Sequence, residues 1–276
     1  MIIDCHTHLN RYLPELPVSL EERHALLRAE MEAHGVAYAL VLAAHDVTPD
    51  WPGTEELLET VGRDPRLGIV AGVRHAHLAR DLPHLRELLR GARVKALKLY
   101  PGYEPFRLSA PEMRPVYELA AEYGVPVMIH TGDTFDPHAK VRFAHPLEVD
   151  DIAVDHREVS FVICHLGNPW MLDAAEVIYK NANVFGDLSG FTVGDWQPRF
   201  ERLMVQKVDE VVAYVNEPSK LMFGSDWPIS ELGGYLRFLG KLDLTDEERD
   251  GILWRNAARV FRLSFEVRVE RDDEGS

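Results

Sequence analysis

Eight short apolar runs, each separated from the next by a polar stretch with helical patterning, constrain this chain more than any other feature. The runs are MIID (1–4), VAYALVLA (36–43), LGIVAGV (67–73), VKALKLY (94–100), VPVMIH (125–130), VSFVICH (159–165), NVFGDLS (183–189) and KLMFGSD (220–226). Most lack strict polar/apolar alternation, as parallel strands covered on both faces do. Between them lie helix signals. Ser19-Leu-Glu-Glu22, Ser109-Ala-Pro-Glu112 and Thr245-Asp-Glu-Glu248 each match a capping box, in which hydroxyl and carboxylate satisfy free N–H groups reciprocally. Gly35 and Gly124 stand just before an apolar run, where a left-handed helix end is wanted. Eight such alternations in 276 residues predict an α/β protein, a single (β/α)8 TIM barrel. A doubly wound open sheet is the alternative, disfavoured because no Gly-rich phosphate loop follows the first run. The barrel is expected over 1–265, with a frayed acidic tail over 266–276.

Composition narrows the partners. With 30 basic and 45 acidic side chains the net charge is −15, which speaks against nucleic acid or an anionic membrane as main partner. A small-molecule substrate is expected, and a homo-oligomer is compatible with everything in the sequence. Two cysteines, Cys5 and Cys164, are too few for a disulfide framework, so a reducing compartment is the default. No apolar stretch approaches a membrane span, and the N-terminus has no charged region of the kind that opens a signal peptide. The expectation is a soluble, cytoplasmic protein.

In such a barrel the functional groups lie at the C-terminal ends of strands. Here the first run ends in His6-Thr7-His8, the fifth in His130, the sixth in His165 and the eighth in Asp226. Residues two apart on a strand face one side, so His6 and His8 can point together into the mouth. Imidazoles with a carboxylate suit Zn2+, with Mn2+ or Fe2+ as alternatives. One histidine at a strand end is ordinary, but four separate runs each finish in a group that metal chemistry needs. A second His-x-His, His75 to His77, lies past its apolar run and reads as a solvated loop or a substrate contact.

These residues also carry a family resemblance. IIDCHTH at the start, IHTGDT around His130, ICHLGNPW around His165 and GSDWP around Asp226 resemble the amidohydrolase superfamily. The similarity is to its amidohydrolase-related branch, which holds lactonases and enzymes like aminocarboxymuconate-semialdehyde and resorcylate decarboxylases. ILWRNAARVFRL (252–263) resembles the closing helix of that branch. The resemblance implies that His6, His8, His130 and Asp226 hold a divalent ion. It makes His165 either a ligand of a second ion or a catalytic acid/base. Lys98 ends the fourth run, where two-metal members often carry a carboxylated lysine bridging the ions. The reading preferred here is an uncarboxylated lysine that binds a substrate carboxylate or pairs with an acid.

Two chemistries use the same residues. In metal-assisted hydrolysis of an amide, lactone or cyclic ester, Asp226 takes the proton from an activated water, while His165 or Lys98 steadies the oxyanion. In non-oxidative decarboxylation of an aromatic or dienoic acid, Asp226 or His165 protonates carbon, and Arg74 or Arg107 could clamp the carboxylate. A barrel that binds metal or ligand without catalysis is a third reading, whose mark would be a residue missing from the set. Lesser expectations concern neighbours of the ligands. Asp4 would accept a hydrogen bond behind them or, as a buried acid, need some other partner, and Cys5 and Cys164 would pack outward toward the helices. Trp170 and Trp227 could wall the pocket or, as aromatic residues beside such loops usually do, simply pack, and Asp187 and Ser189 could touch substrate. Two loops, LYPGYEPFRLSAP and TGDTFDPHAKVRFAHP, would carry specificity, with His138 and His145 as substrate contacts or surface groups.

Overall fold

The structure, a computed structural model, describes residues 1–265, so the expected acidic tail lies outside the described residues. Each apolar run supplies one strand: β1 (Ile3–Thr7), β2 (Tyr38–Leu42), β3 (Leu67–Gly72), β4 (Val94–Leu99), β5 (Val127–Ile129), β6 (Phe161–Ile163), β7 (Val184–Asp187) and β8 (Leu221–Met222). They pair in parallel in chain order. The ring closes where β1 meets the chain leaving β8. There the Cys5 amide donates to the Phe223 carbonyl at 3.0 Å, Asp226 to His6 at 2.8 Å and His8 to Trp227 at 2.7 Å. The fold is the expected (β/α)8 barrel.

Helices fill the intervals: α1 (Leu20–Ala33), α2 (Thr54–Val61), α3 (Leu78–Leu89), α4 (Arg114–Tyr123), α5 (Leu147–Asp155), α6 (Met171–Lys180), α7 (Pro198–Val215) and α8 (Leu232–Leu239). After them α9 (Asp246–Asp250) runs through a π-helical turn (Gly251–Arg255) into α10 (Asn256–Val260). Two of the three expected caps form. Ser19 Oγ accepts from the Glu22 amide at 3.3 Å, and Thr245 and Glu248 make a complete box. Ser109 caps nothing, because a short 3-10 turn starts later, at Pro111, behind Ala110. Gly35 and Gly124 adopt φ of +68° and +61°, the left-handed helix ends anticipated for them.

Two apolar layers follow from strand alternation. Outward residues such as Val41, Leu97, Ile129 and Ile163 pack with the helices. Inward residues, among them Ile3, Leu40, Val70, Met128 and Phe185, fill the barrel, and Ala257, Val260 and Phe261 close that cluster at the end where β1 and β2 begin. Burial of each such side chain contributes roughly 1.5–3 kcal/mol. Cys5 and Cys164 belong to this interior layer, not to the helix side as expected. Among the described residues no helix is long and apolar enough to cross a membrane.

Candidate active site

The position of the cysteines explains how the histidines reach the centre. Strict alternation would turn His6 and His165 outward, because Cys5 and Cys164 face in. Backbone irregularities reverse this. A register shift between Asp4 and Thr7 interrupts β1, and His165 follows β6 in a left-handed conformation, φ 60° and ψ 20°. Both imidazoles therefore enter the mouth, with ring centroids 4.8 Å apart.

The imidazoles of β1 are oriented through Nδ1. His6 Nδ1 donates to Asp187 Oδ2 at 2.8 Å, and His8 Nδ1 donates to the Leu42 carbonyl at 3.2 Å. Each Nε2 is left with its lone pair free, and both point at one oxygen. Asp226 Oδ1 stands 3.7 Å from His6 Nε2 and 3.4 Å from His8 Nε2. His6, His8 and Asp226 thus offer ligand atoms within 4.8 Å of one another, as do His6, His165 and Asp187. His130 lies in the same cavity but outside both groups. Its Nε2 donates to the Asp133 carbonyl at 3.0 Å, and its ring sits between Tyr103 and His165.

Asp187 is the residue that sequence reasoning undervalued. Besides His6 it accepts the amides of His165 at 2.9 Å and Ser189 at 3.1 Å, and Ser189 Oγ lies 2.9 Å from His165 Nδ1. The pair holds imidazoles where a substrate contact was expected. The signal was present, since Asp187 ends β7 as Asp226 follows β8. Asp4 takes the second of its two expected parts, a buried acid with another partner. It accepts from Ser225 Oγ at 2.6 Å and from the Ser225 and His6 amides, tying β1 to the chain after β8 without touching an imidazole.

Electrostatically the cluster is short of positive charge. Burial lowers the pKa values of His6, His8 and His130, and takes His165 down to about 3. Burial likewise pushes Asp4 up to about 7 and Asp226 well above the carboxylate range, the latter opposed by the Lys98 ammonium. Asp187 is held well below that range: burial works against it, but charge and hydrogen bond from His6, with the charges of His165 and Lys98, together outweigh burial. Neutral imidazoles facing a buried carboxylate are the donor set that a divalent cation satisfies. The residues therefore fit a metal. Lys98, fully buried, places Nζ 2.9 Å from Cys164 Sγ and 5.2 Å from the Tyr100 ring.

Above this cluster opens a cavity of about 480 Å³. The two long loops contribute Tyr103, Asp133, Thr134 and Phe135, as anticipated. Residues not foreseen are Tyr12, His45 and Trp51 on one side and the inner face of α7 on the other. Trp170 packs at a tilt against His145 away from this cavity, and Trp227 is buried in the apolar core, so neither walls it. Arg74 pairs with Asp81 and Arg107 with Glu148, both outside the lining. His75 stacks on Phe106, and His138 is exposed beside Asp136.

Residues 3–263 match the family described as amidohydrolase. No curated protein sequence matches the chain. Among solved structures, an amidohydrolase from Burkholderia multivorans with bound zinc superposes with a TM-score of 0.72 at 19% identity, covering 96% of this chain and 100% of that one. A putative 2-pyrone-4,6-dicarboxylic acid hydrolase from Pseudomonas putida gives 0.70 at 21% identity, with 96% and 98% covered. A dihydroxybenzoic acid decarboxylase from Polaromonas with bound manganese gives 0.67 at 14%, with 95% and 97% covered.

Proposed function

Because the chain belongs to the amidohydrolase family, we propose that it is a metal-dependent hydrolase that opens an amide, lactone or other cyclic ester. The observation that carries this reading is the convergence of His6 Nε2 and His8 Nε2 on Asp226 Oδ1. These three would hold the ion, with His130 as a further donor in the same cavity. Zinc is the first choice, given the imidazole-rich set and the zinc in the Burkholderia multivorans structure. A bound ion supplies Lewis acidity and a water acidified to a pKa of about 7.

The chain's own groups supply the remainder. Asp226 accepts the proton of the attacking water and returns it to the leaving oxygen or nitrogen. His165, braced by Ser189 and Asp187, hydrogen-bonds the oxygen that gathers charge, and the Lys98 ammonium favours that charge from below. Asp187 fixes the His6 tautomer. Hydrolysis is preferred over decarboxylation because the two arginines that could clamp a reacting carboxylate are paired elsewhere.

The test is to measure metal content per chain, then to incubate zinc-loaded protein with lactones and with hydroxybenzoates. Metal-dependent acid release from a lactone supports the proposal. CO2 from hydroxybenzoates without lactone opening overturns it.

A further inference from the structure

The two flanks of the cavity differ in chemistry. On the β1–β2 flank Tyr12 meets Trp51 edge-on at 4.8 Å and Phe135 at 5.8 Å, while His45 lies against Tyr100 and Tyr103 at 4.9 and 5.2 Å. A second flank is one face of α7. Phe200, Leu203, Met204 and Lys207 recur at helical spacing and all line the cavity. Phe135, Val193 and Leu203 remain exposed at the rim, the apolar edge that an apolar-bodied ligand would cover.

Lys207 stands out on that face. Among the described residues the cavity lining contains two lysines and no arginine, and Lys98 is engaged with Cys164 at the floor. Lys207 is half-buried and makes no ion pair among the described residues. The carboxylates lining the cavity are Asp226 in the ligand cluster and Asp133 on the β5 loop. In a chain of net charge −15, an anionic substrate meets an unfavourable overall field, and a local cation on the lining offsets it.

We propose that Lys207 is a specificity-determining residue that receives an anionic group at the outer end of a flat, ring-bodied substrate, the ring lying between the aromatic flank and the α7 face. This deepens the hydrolase reading and rests on it only for which end of the substrate faces His6, His8 and Asp226. The substrate class becomes a ring-bearing carboxylate whose acid group is remote from the bond that reacts.

Isothermal titration calorimetry on the metal-loaded protein tests this with 2-naphthoate and naphthalene-2,6-dicarboxylate, which share one ring system and differ by a remote carboxylate. Wild type should bind the dicarboxylate about tenfold tighter, as a charge-assisted hydrogen bond allows. Lys207→Met and Lys207→Gln should each abolish that preference while leaving 2-naphthoate affinity unchanged, and Lys207→Arg should keep it. A preference that survives both neutral variants overturns the inference, as does equal affinity, or no binding of either probe, in wild type. Lactone opening is scored separately, so a protein with a Lys207-dependent preference and no hydrolysis loses the hydrolase reading alone.

Discussion

Asp187 Oδ2 accepts the Nδ1 proton of His6 across 2.8 Å, from β7 to β1. That contact decides which imidazole nitrogen faces Asp226 and His8. Losing such an orienting acceptor typically costs about 10–100-fold in metal affinity. Asp187→Asn should therefore bind zinc about 10–100-fold more weakly in a competition titration with a chelator. The amide side chain can still accept from the His165 and Ser189 backbones, so the fold should survive. Unchanged zinc affinity would show that Asp187 is a packing acid only.

Gly190 follows Ser189 with φ +67°. A Cβ there would lie 2.3 Å from His165 Nδ1 and 2.9 Å from Asp226 Oδ2. Gly190→Ala must displace one of the two groups, and it places an L-residue in left-handed backbone at a cost of about 1–2 kcal/mol. The expected outcome is folded protein with its melting temperature lowered and its turnover reduced roughly a hundredfold, as misplacement near 1 Å can cause. Wild-type turnover in this variant would mean that the His165–Asp226 spacing is unimportant.

The barrel was legible because eight separate runs each had to be buried on both faces, and no Gly-rich phosphate loop followed the first to favour an open doubly wound sheet. The grouping of His6, His8 and Asp226 was legible for a related reason, since strand ends face the mouth whatever the loops do. What sequence periodicity misjudged was local. Cys5 faces inward beside an inward His6, and Cys164 beside an inward His165, because a register shift and a left-handed residue break the two-residue period there. Such breaks have no signature in residue type. Arg74, Arg107, Trp170 and Trp227 could not be placed from sequence, because loop direction decides whether a side chain meets a cavity, and composition does not encode direction. Lys207 lay hidden because its spacing with Phe200, Leu203 and Met204 on α7 is that of any helix packing on a core.

The turn before β3 makes a pH prediction away from the site. Asp64 accepts from the Arg66 amide at 2.9 Å, from His24 Nε2 at 3.0 Å and from Arg28. Burial works to raise its pKa, but these donors outweigh it and hold the carboxyl below its ordinary value. A carboxyl depressed in the folded state stabilises above its unfolded pKa of about 3.9 and loses that contribution as pH falls through the folded value. Asp64→Asn should cost about 1–3 kcal/mol in urea unfolding at pH 7. The gap between variant and wild type should shrink below pH 4. A gap independent of pH would show that the donors do not favour the charged form.

The proposed hydrolysis asks two things of Asp226: to offer Oδ1 beside the Nε2 atoms of His6 and His8, and to carry a proton during turnover. Asparagine separates them. Its carbonyl oxygen can occupy the Oδ1 position, but its amide cannot accept a proton. Asp226→Asn should therefore retain most bound zinc by elemental analysis while turnover falls about 10²–10⁴-fold, the usual contribution of a positioned acid/base. The reduced activity should also lose the pH dependence that the carboxylate imposes on wild type. Full activity in the zinc-loaded variant would refute the proton-carrying role. Loss of zinc together with activity would assign Asp226 to binding alone, and the proton would then have to travel through His165, whose Nδ1 is already engaged by Ser189.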